Sequence, residues 1–242
     1  MFSFIWHSLF FDPIYNTLVF FIDTLRNGDV GLAIILTVIV VKTILLPLSI
    51  KAAKTQKIMR EIEPKLKALK EQFADDKQAQ AQAMMGIYKE ANLNPFASVL
   101  LVLLQIPIVI ALYFSVAKGG GVALPGINID LLYSFIAAPQ AVSMQFLGLF
   151  DIASKSVLLA LLAGVTQYIF TAMSLPKMAP KAEGAGADFK EDFIRNMQLQ
   201  MRYVMPLLII VVAYTLSAAI ALYFVVSNLV AIGQEFYVRK HR

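Results

Sequence analysis

The chain contains no cysteine, which excludes disulfides, thiolate metal sites and cysteine nucleophiles and leaves the redox compartment undetermined. It has two histidines, His7 and His241, near opposite ends. No H-E-x-x-H zinc site can form from them, and a serine–histidine hydrolase would lack a histidine inside the membrane. The long apolar runs hold no Asp or Glu, which removes intramembrane aspartyl chemistry and the usual carboxylate proton relay of pumps. These absences describe a non-enzyme for which neither metal nor cofactor is expected. There is no internal repeat. The N-terminal stretch MFSFIWHSLFFDPIYN has no basic n-region and no A-x-A-like site, so a cleaved signal peptide is not expected.

What is present is apolar: 59% of the 242 residues are hydrophobic and the mean hydropathy is +0.70. That composition belongs to an all-α integral membrane protein. Five segments have the length and apolarity of spanning helices: Val30–Ser49, Phe96–Val116, Lys155–Ser174, Tyr203–Ser217 and Ala218–Gly233. The last two are almost continuous and together too long for one span, so a tight turn is expected at Ser217-Ala218-Ala219. The resulting division is a leader with an interfacial helix over 1–29, spans over 30–50, 96–117, 155–174, 203–217 and 218–236, a charged helical hairpin over 51–95, loops over 118–154 and 175–202, and a tail over 237–242.

Positive charge orients the spans. The hairpin, the segment between the third and fourth spans, and the tail hold 17 of the 21 basic residues. The other side has only Arg26, Lys118 and Lys155. This places the N-terminus outside and the C-terminus inside. In the leader, Asp12-Pro13 reads as an N-cap followed by proline at the first helical position. The apolar run after it is too short to cross, which suggests a helix lying on the outer leaflet; a plain packed leader is the alternative.

In the hairpin, Ile58, Ile62, Leu66 and Leu69 form one apolar stripe. Lys57–Glu61, Glu61–Lys65, Glu63–Lys67 and Lys67–Glu71 have the spacing of ion pairs. Pro64 is expected to kink or break this helix, a turn is expected over residues 74–77, and Met84, Met85 and Tyr88 are available for packing on the returning helix. The hairpin is either a self-satisfied coil with a solvated face or a basic arm, with Lys54, Lys57 and Arg60 on it, that touches lipid headgroups, a nascent chain or a ribosome.

Few polar residues lie in the spans: Thr37, Lys42, Thr43, Gln105, Thr166, Gln167, Thr171, Tyr214, Thr215, Ser227 and Asn228. Lys42 is the costly one, at roughly 2.5–3.5 kcal/mol on insertion scales. It lies about seven residues, roughly 10 Å, from the inner end of its span. Either it snorkels to the inner interface, or it lines a wet cavity with Gln105, Gln167 and Asn228. Singly, Gln105, Thr166, Gln167 and Asn228 have the character of interhelical hydrogen-bond partners. Pro107 and Pro206 are expected to kink the second and fourth helices and splay the bundle.

The motifs V-V-K-T-I-L-L-P-L-S, M-R-E-I-E-P-K-L-K, Y-K-E-A-N-L-N-P-F, L-L-Q-I-P-I-V-I-A-L-Y and A-L-Y-F-V-V-S-N-L-V-A-I-G-Q occur in that order. In this the chain resembles the YidC/Oxa/Alb family of membrane-protein insertases over about residues 30–117 and 146–236. The resemblance implies a five-helix core around a hydrophilic groove, open to the cytoplasm and sideways to lipid. It also implies that the family's charged groove residue, usually arginine, falls at Lys42. The third and fifth spans would contact clients, with Tyr168, Tyr223 and Phe224 as an aromatic slide. Without a large extracytoplasmic domain or a long basic tail, the chain resembles the short form. Lysine in place of arginine leaves the charge state open, since a poorly hydrated lysine can lose its proton.

The expected function is therefore an insertase and chaperone working without ATP, with Lys42, Gln105, Thr166, Gln167 and Asn228 as groove residues. Its partners would be nascent membrane proteins and the lipid bilayer, with ribosome and Sec translocon open and no specific nucleic acid. A small anion transporter or channel using Lys42 is the alternative, and a purely structural or assembly role is the third.

Overall fold

The computed structural model describes residues 2–74, 76–91, 96–118, 121–174 and 199–240. It is mostly helical and forms two compact units, Met1–Thr43 with Ile106–Glu235 and Ile44–Gln105 with Phe236–Arg242.

In the first unit the chain starts with α1 (Phe2–Trp6), a π-helical turn (His7–Phe11) and α2 (Asp12–Thr24). Trp6 stacks on Phe10 and Phe11 with ring centroids 6.3 and 6.4 Å apart and meets Phe114 edge-on at 6.5 Å. One face of α2 is buried in protein: Tyr15, Leu18, Val19 and Ile22 are each 0% exposed. Phe4, Leu9 and Phe20 remain exposed. The leader helix is thus seated on the protein by one face while presenting an apolar surface on the other.

Helix α3 (Val30–Ile44) is apolar all round yet buries one stripe, Val30, Gly31, Ala33, Ile34, Thr37 and Val38, at the spacing of one helical face. The helix breaks at Leu45, and α4 (Leu46–Gln72) begins with Pro47 in its first turn. Pro47 has no N–H to offer the Thr43 carbonyl, so the α-helical ladder cannot run on.

Helix α6 (Phe96–Ala117) leads into the segment 118–154, which holds a 3₁₀ turn (Ile129–Leu131) and a small antiparallel hairpin, β1 (Gln145–Phe146) with β2 (Phe150–Asp151). Next come α7 (Val157–Ser174), a π-helical turn (Gln200–Val204), α8 (Met205–Leu216) and α9 (Ala218–Lys240). The long apolar run at the C-terminal end is divided at Ser217, which is extended at φ −170° and ψ 165°. The freed N–H groups of Ala218 and Ala219 donate to the carbonyls of Ser154 and Ile152 at 2.7 and 3.1 Å, which caps α9.

Two helices, Val157–Ser174 and Ala218–Lys240, are each long and apolar enough to cross a membrane; Val30–Ile44 and Leu46–Met59 make a third when counted together. This is the architecture of an all-α membrane protein. Helix α7 buries its small and hydroxyl residues, Ala160, Ala163, Gly164 and Thr171, and exposes Leu158, Leu161, Leu162 and Val165. That distribution suits a lipid solvent, where helices approach through small residues. A Cβ on Gly164 would run into the side chain of Ile210 on α8.

In the second unit, α4 and α5 (Lys77–Glu90) form the charged hairpin. Asp76 caps α5 by accepting from the N–H groups of Gln78 and Ala79 at 3.0 and 2.9 Å. Leu66 is buried, with Ile58, Ile62 and Leu69 half-buried along the same stripe. Two details of the expected hairpin change. Helix α4 does not break at Pro64, whose exposed position leaves water to solvate the carbonyl it frees. No ion pair joins Lys57 to Glu61 or Glu61 to Lys65, because exposed pairs gain less than their side-chain entropy costs. Pro206, expected to kink the fourth helix, lies two residues after the π-helical turn Gln200–Val204 in a stretch that is helical on both sides, so the regular α-helical ladder is interrupted beside it.

Candidate functional site

Helices α7 and α9 start at the same level, since the residues just before α7 cap α9. Ten residues into α9, Asn228 is buried, and its Nδ2 donates to the Ala163 carbonyl and the Thr166 hydroxyl of α7, each at 3.3 Å. The two helices are therefore parallel, and Asn228 lies about 15 Å along α9 at 1.5 Å per residue. The Thr166 hydroxyl in turn donates within its own helix, to Leu162 and Ala163 carbonyls at 2.8 and 3.0 Å. One residue on, Gln167 Nε2 donates to the Thr171 hydroxyl at 3.3 Å, and that hydroxyl donates to the Gln167 carbonyl at 2.8 Å.

Two of the five expected groove residues, Thr166 and Asn228, thus form a polar seam between two membrane-length helices, while Gln167 bonds within α7 to Thr171. Of the other two, Lys42 is half-buried in the last turn of α3, and Gln105 is half-buried on α6 and belongs to the second unit. Near the far ends of α7 and α9, the buried atoms Ser174 Oγ and Gln234 Nε2 have no hydrogen-bond partner among the described residues. Orphaned polar atoms at such depth suit water or a polar visitor.

The aromatic residues divide by exposure. Tyr168 is 41% exposed and lies 5.9 Å from the exposed Tyr203 ring. Phe224 is half-buried, while Tyr223 is 2% exposed and holds the Phe224 ring edge-on at 5.4 Å. Of the hairpin residues, Lys54 and Pro64 are exposed and Lys57 and Tyr88 half-buried. The side chain of Arg60 and the basic segment 175–198 lie outside the described residues.

A second polar constellation was not anticipated. Asn16, 1% exposed, donates from Nδ2 to the carbonyls of Asp12 and Leu131, both at 2.9 Å, and accepts the Tyr133 N–H at 2.7 Å. The Tyr15 hydroxyl accepts the Asn128 N–H at 2.8 Å. Burial raises the Tyr15 pKa, against the opposing effect of that hydrogen bond. Asp29 accepts from the N–H groups of Leu32 and Leu147 at 3.0 and 2.8 Å. Gly28, at φ 60°, leaves no room for a Cβ beside the Ala141 carbonyl. A polar Asn16 inside an otherwise apolar helix, and an Asp just before the apolar start of α3, were the available signals.

Comparison with known proteins bears on what this arrangement does. The family described as 60Kd inner membrane protein matches residues 21–242. A protein named membrane protein insertase YidC from Clostridium tetani is 33% identical over 219 residues, covering 90% of this chain and 86% of that protein. Proteins of the same name from Shewanella woodyi and Neisseria gonorrhoeae are 32% and 29% identical, each over 93% of this chain. The chain spans only 36% of the length of those two. With its apolar helices and these relatives, the chain belongs to the 60Kd inner membrane protein family, the insertase family whose members carry the name YidC.

Proposed function

We propose that this chain is a membrane-protein insertase and chaperone that works without ATP through a hydrophilic groove among five spans. The observation that carries the reading is the Asn228–Thr166 seam. It sets amide and hydroxyl groups roughly halfway through a hydrocarbon core of about 30 Å. A polar lining at that depth shortens the barrier that a client's polar tail must cross. The client's apolar segment then partitions into lipid along α7 and α9, and that transfer drives the reaction.

Lys42 and Gln105 complete the groove in this reading, with the lysine's charge favouring acidic tails. Tyr168 and Phe224 form the slide, and buried Tyr223 acts as the backing of Phe224. The basic asymmetry along the chain supports an N-terminus outside and a C-terminus in the cytoplasm of the inner membrane. The α4–α5 hairpin is then the cytoplasmic face available to ribosome or Sec translocon.

Photo-crosslinkers at Tyr168 and Phe224 should capture a nascent single-span client in reconstituted vesicles, above the yield from exposed Leu161. Equal yields at all three positions would remove the slide. Lys42→Arg should support insertion while Lys42→Ala lowers it most for acidic-tailed clients; normal insertion of every client by Lys42→Ala would remove the charge from the mechanism.

A further inference from the structure

The residues ahead of α3 and the β1–β2 hairpin enclose a pocket of about 500 Å³ that the insertion mechanism does not use. Arg26, Asn27 and Gln145 supply polar lining, and Leu25, Leu32 and Leu147 supply apolar lining. Its volume is that of small-molecule sites, which range over roughly 300–1,000 Å³.

The pocket holds one charge of each sign, and only the cation is unengaged. Asp29 lines it, with both carboxylate oxygens accepting backbone N–H groups, from Leu32 and Leu147. Arg26 is exposed and makes no ion pair. The pocket therefore offers a guanidinium fork with nothing to bind, and that fork matches phosphate oxygens.

Leu147 and Gly148, at φ 53° and 70°, are the central pair of the turn joining β1 to β2, closed by the Leu149 N–H donating to the Phe146 carbonyl at 2.9 Å; the left-handed conformation this turn requires strains a leucine. The Asp29 bond to the Leu147 N–H anchors the turn at the pocket, and Leu147 is left 58% exposed beside Leu149 at 73%. An exposed leucine in a pocket with an unpaired arginine fits an amphiphilic ligand. Arg26 is four residues ahead of Val30, where α3 begins. In the proposed topology that is the outer headgroup level.

We propose that this pocket binds a phosphate ester, that of an anionic phospholipid headgroup, with Arg26 on the phosphate and Leu32 and Leu147 beside the glycerol and upper acyl chain. The test is native mass spectrometry of the full chain released from nanodiscs of phosphatidylcholine doped with phosphatidylglycerol. Wild type should retain one phosphatidylglycerol. Arg26→Gln should weaken that retention about tenfold, as loss of a charge-assisted bond does. Arg26→Lys should recover part of it, and Leu147→Gly, which relieves the strain and removes the wall, should weaken it severalfold. Lys118→Gln, outside the pocket, should leave it unchanged. Excess inorganic phosphate should not displace the lipid; full displacement would make this a free-phosphate site and overturn the lipid assignment. Retention unaffected by Arg26→Gln, or lowered equally by Lys118→Gln, would overturn the site.

Discussion

The segment 118–154 and the α4–α5 hairpin both lie between long apolar helices, yet they are held by opposite means. The former contains little regular structure, but its backbone is tied to residues more than a hundred positions away: Asn16 reaches Leu131 and Tyr133, Tyr15 reaches Asn128, and Asp29 reaches Leu147. The hairpin is almost wholly helical, and its described side-chain bonds include local ones, such as the cap in which Asp76 accepts from Gln78 and Ala79. Irregular backbone has no ladder of its own, so buried side chains must satisfy it. A helix satisfies its own backbone, and its side chains are left to solvent or to partners. Order in the first region is therefore concentrated in a few residues and in the second is spread along the chain.

That contrast can be broken by substitution. The largest effect is expected from Asn16→Leu, which leaves the part-buried Leu131 carbonyl and Tyr133 N–H without their side-chain partner. About 2–4 kcal/mol should be lost, short of the full sum of two orphaned groups at about 1–3 kcal/mol each because water reaches both in part, seen as a lower thermal midpoint in detergent and faster proteolysis within 118–154. Asp29→Ala should cost about 1–3 kcal/mol by the same route, because it removes two backbone acceptor bonds at once. Gly164→Val should cost about 1–3 kcal/mol through overpacking against Ile210, measured by the same denaturation. Asn228→Leu should cost only about 0.6–1.7 kcal/mol, the range for interhelical bonds in membranes. It should nevertheless reduce client insertion in vesicles, which separates seam function from seam stability. In the hairpin, Glu61→Ala should fall within about 0.5 kcal/mol of wild type. A loss from Glu61→Ala as large as that from Asn16→Leu would abolish the comparison.

Much of the fold was legible because it follows from local chemistry. Helix α6 begins and ends with its apolar run, Phe96–Ala117. The turn ahead of α5 and the stripe through Leu66 are local patterns that need no partner to be recognised. The candidate site was legible in part. Thr166, Gln167 and Asn228 stand out as polar residues in apolar runs, but that Asn228 meets Ala163 and Thr166 depends on two helices starting together at Ser154 and Ala218. Tyr223 and Phe224 are adjacent aromatics, and only the rotation of α9 about its axis decides that the first is buried and the second half-open.

By itself the sequence determined what a short window can specify: a chain too apolar for water, the one-sided distribution of basic residues, the break at Ser217, and the ordered motifs of an insertase family. The tertiary structure alone decided which polar groups meet. It placed Asn16 under a segment 115 residues away, joined α7 and α9 through one asparagine, and left Arg26 in a pocket whose acid is already occupied. The physical reason is that apolarity and helical periodicity are properties of neighbours along the chain. Hydrogen-bond satisfaction is a property of neighbours in space, and is settled only when helices with no charge to orient them pack by shape.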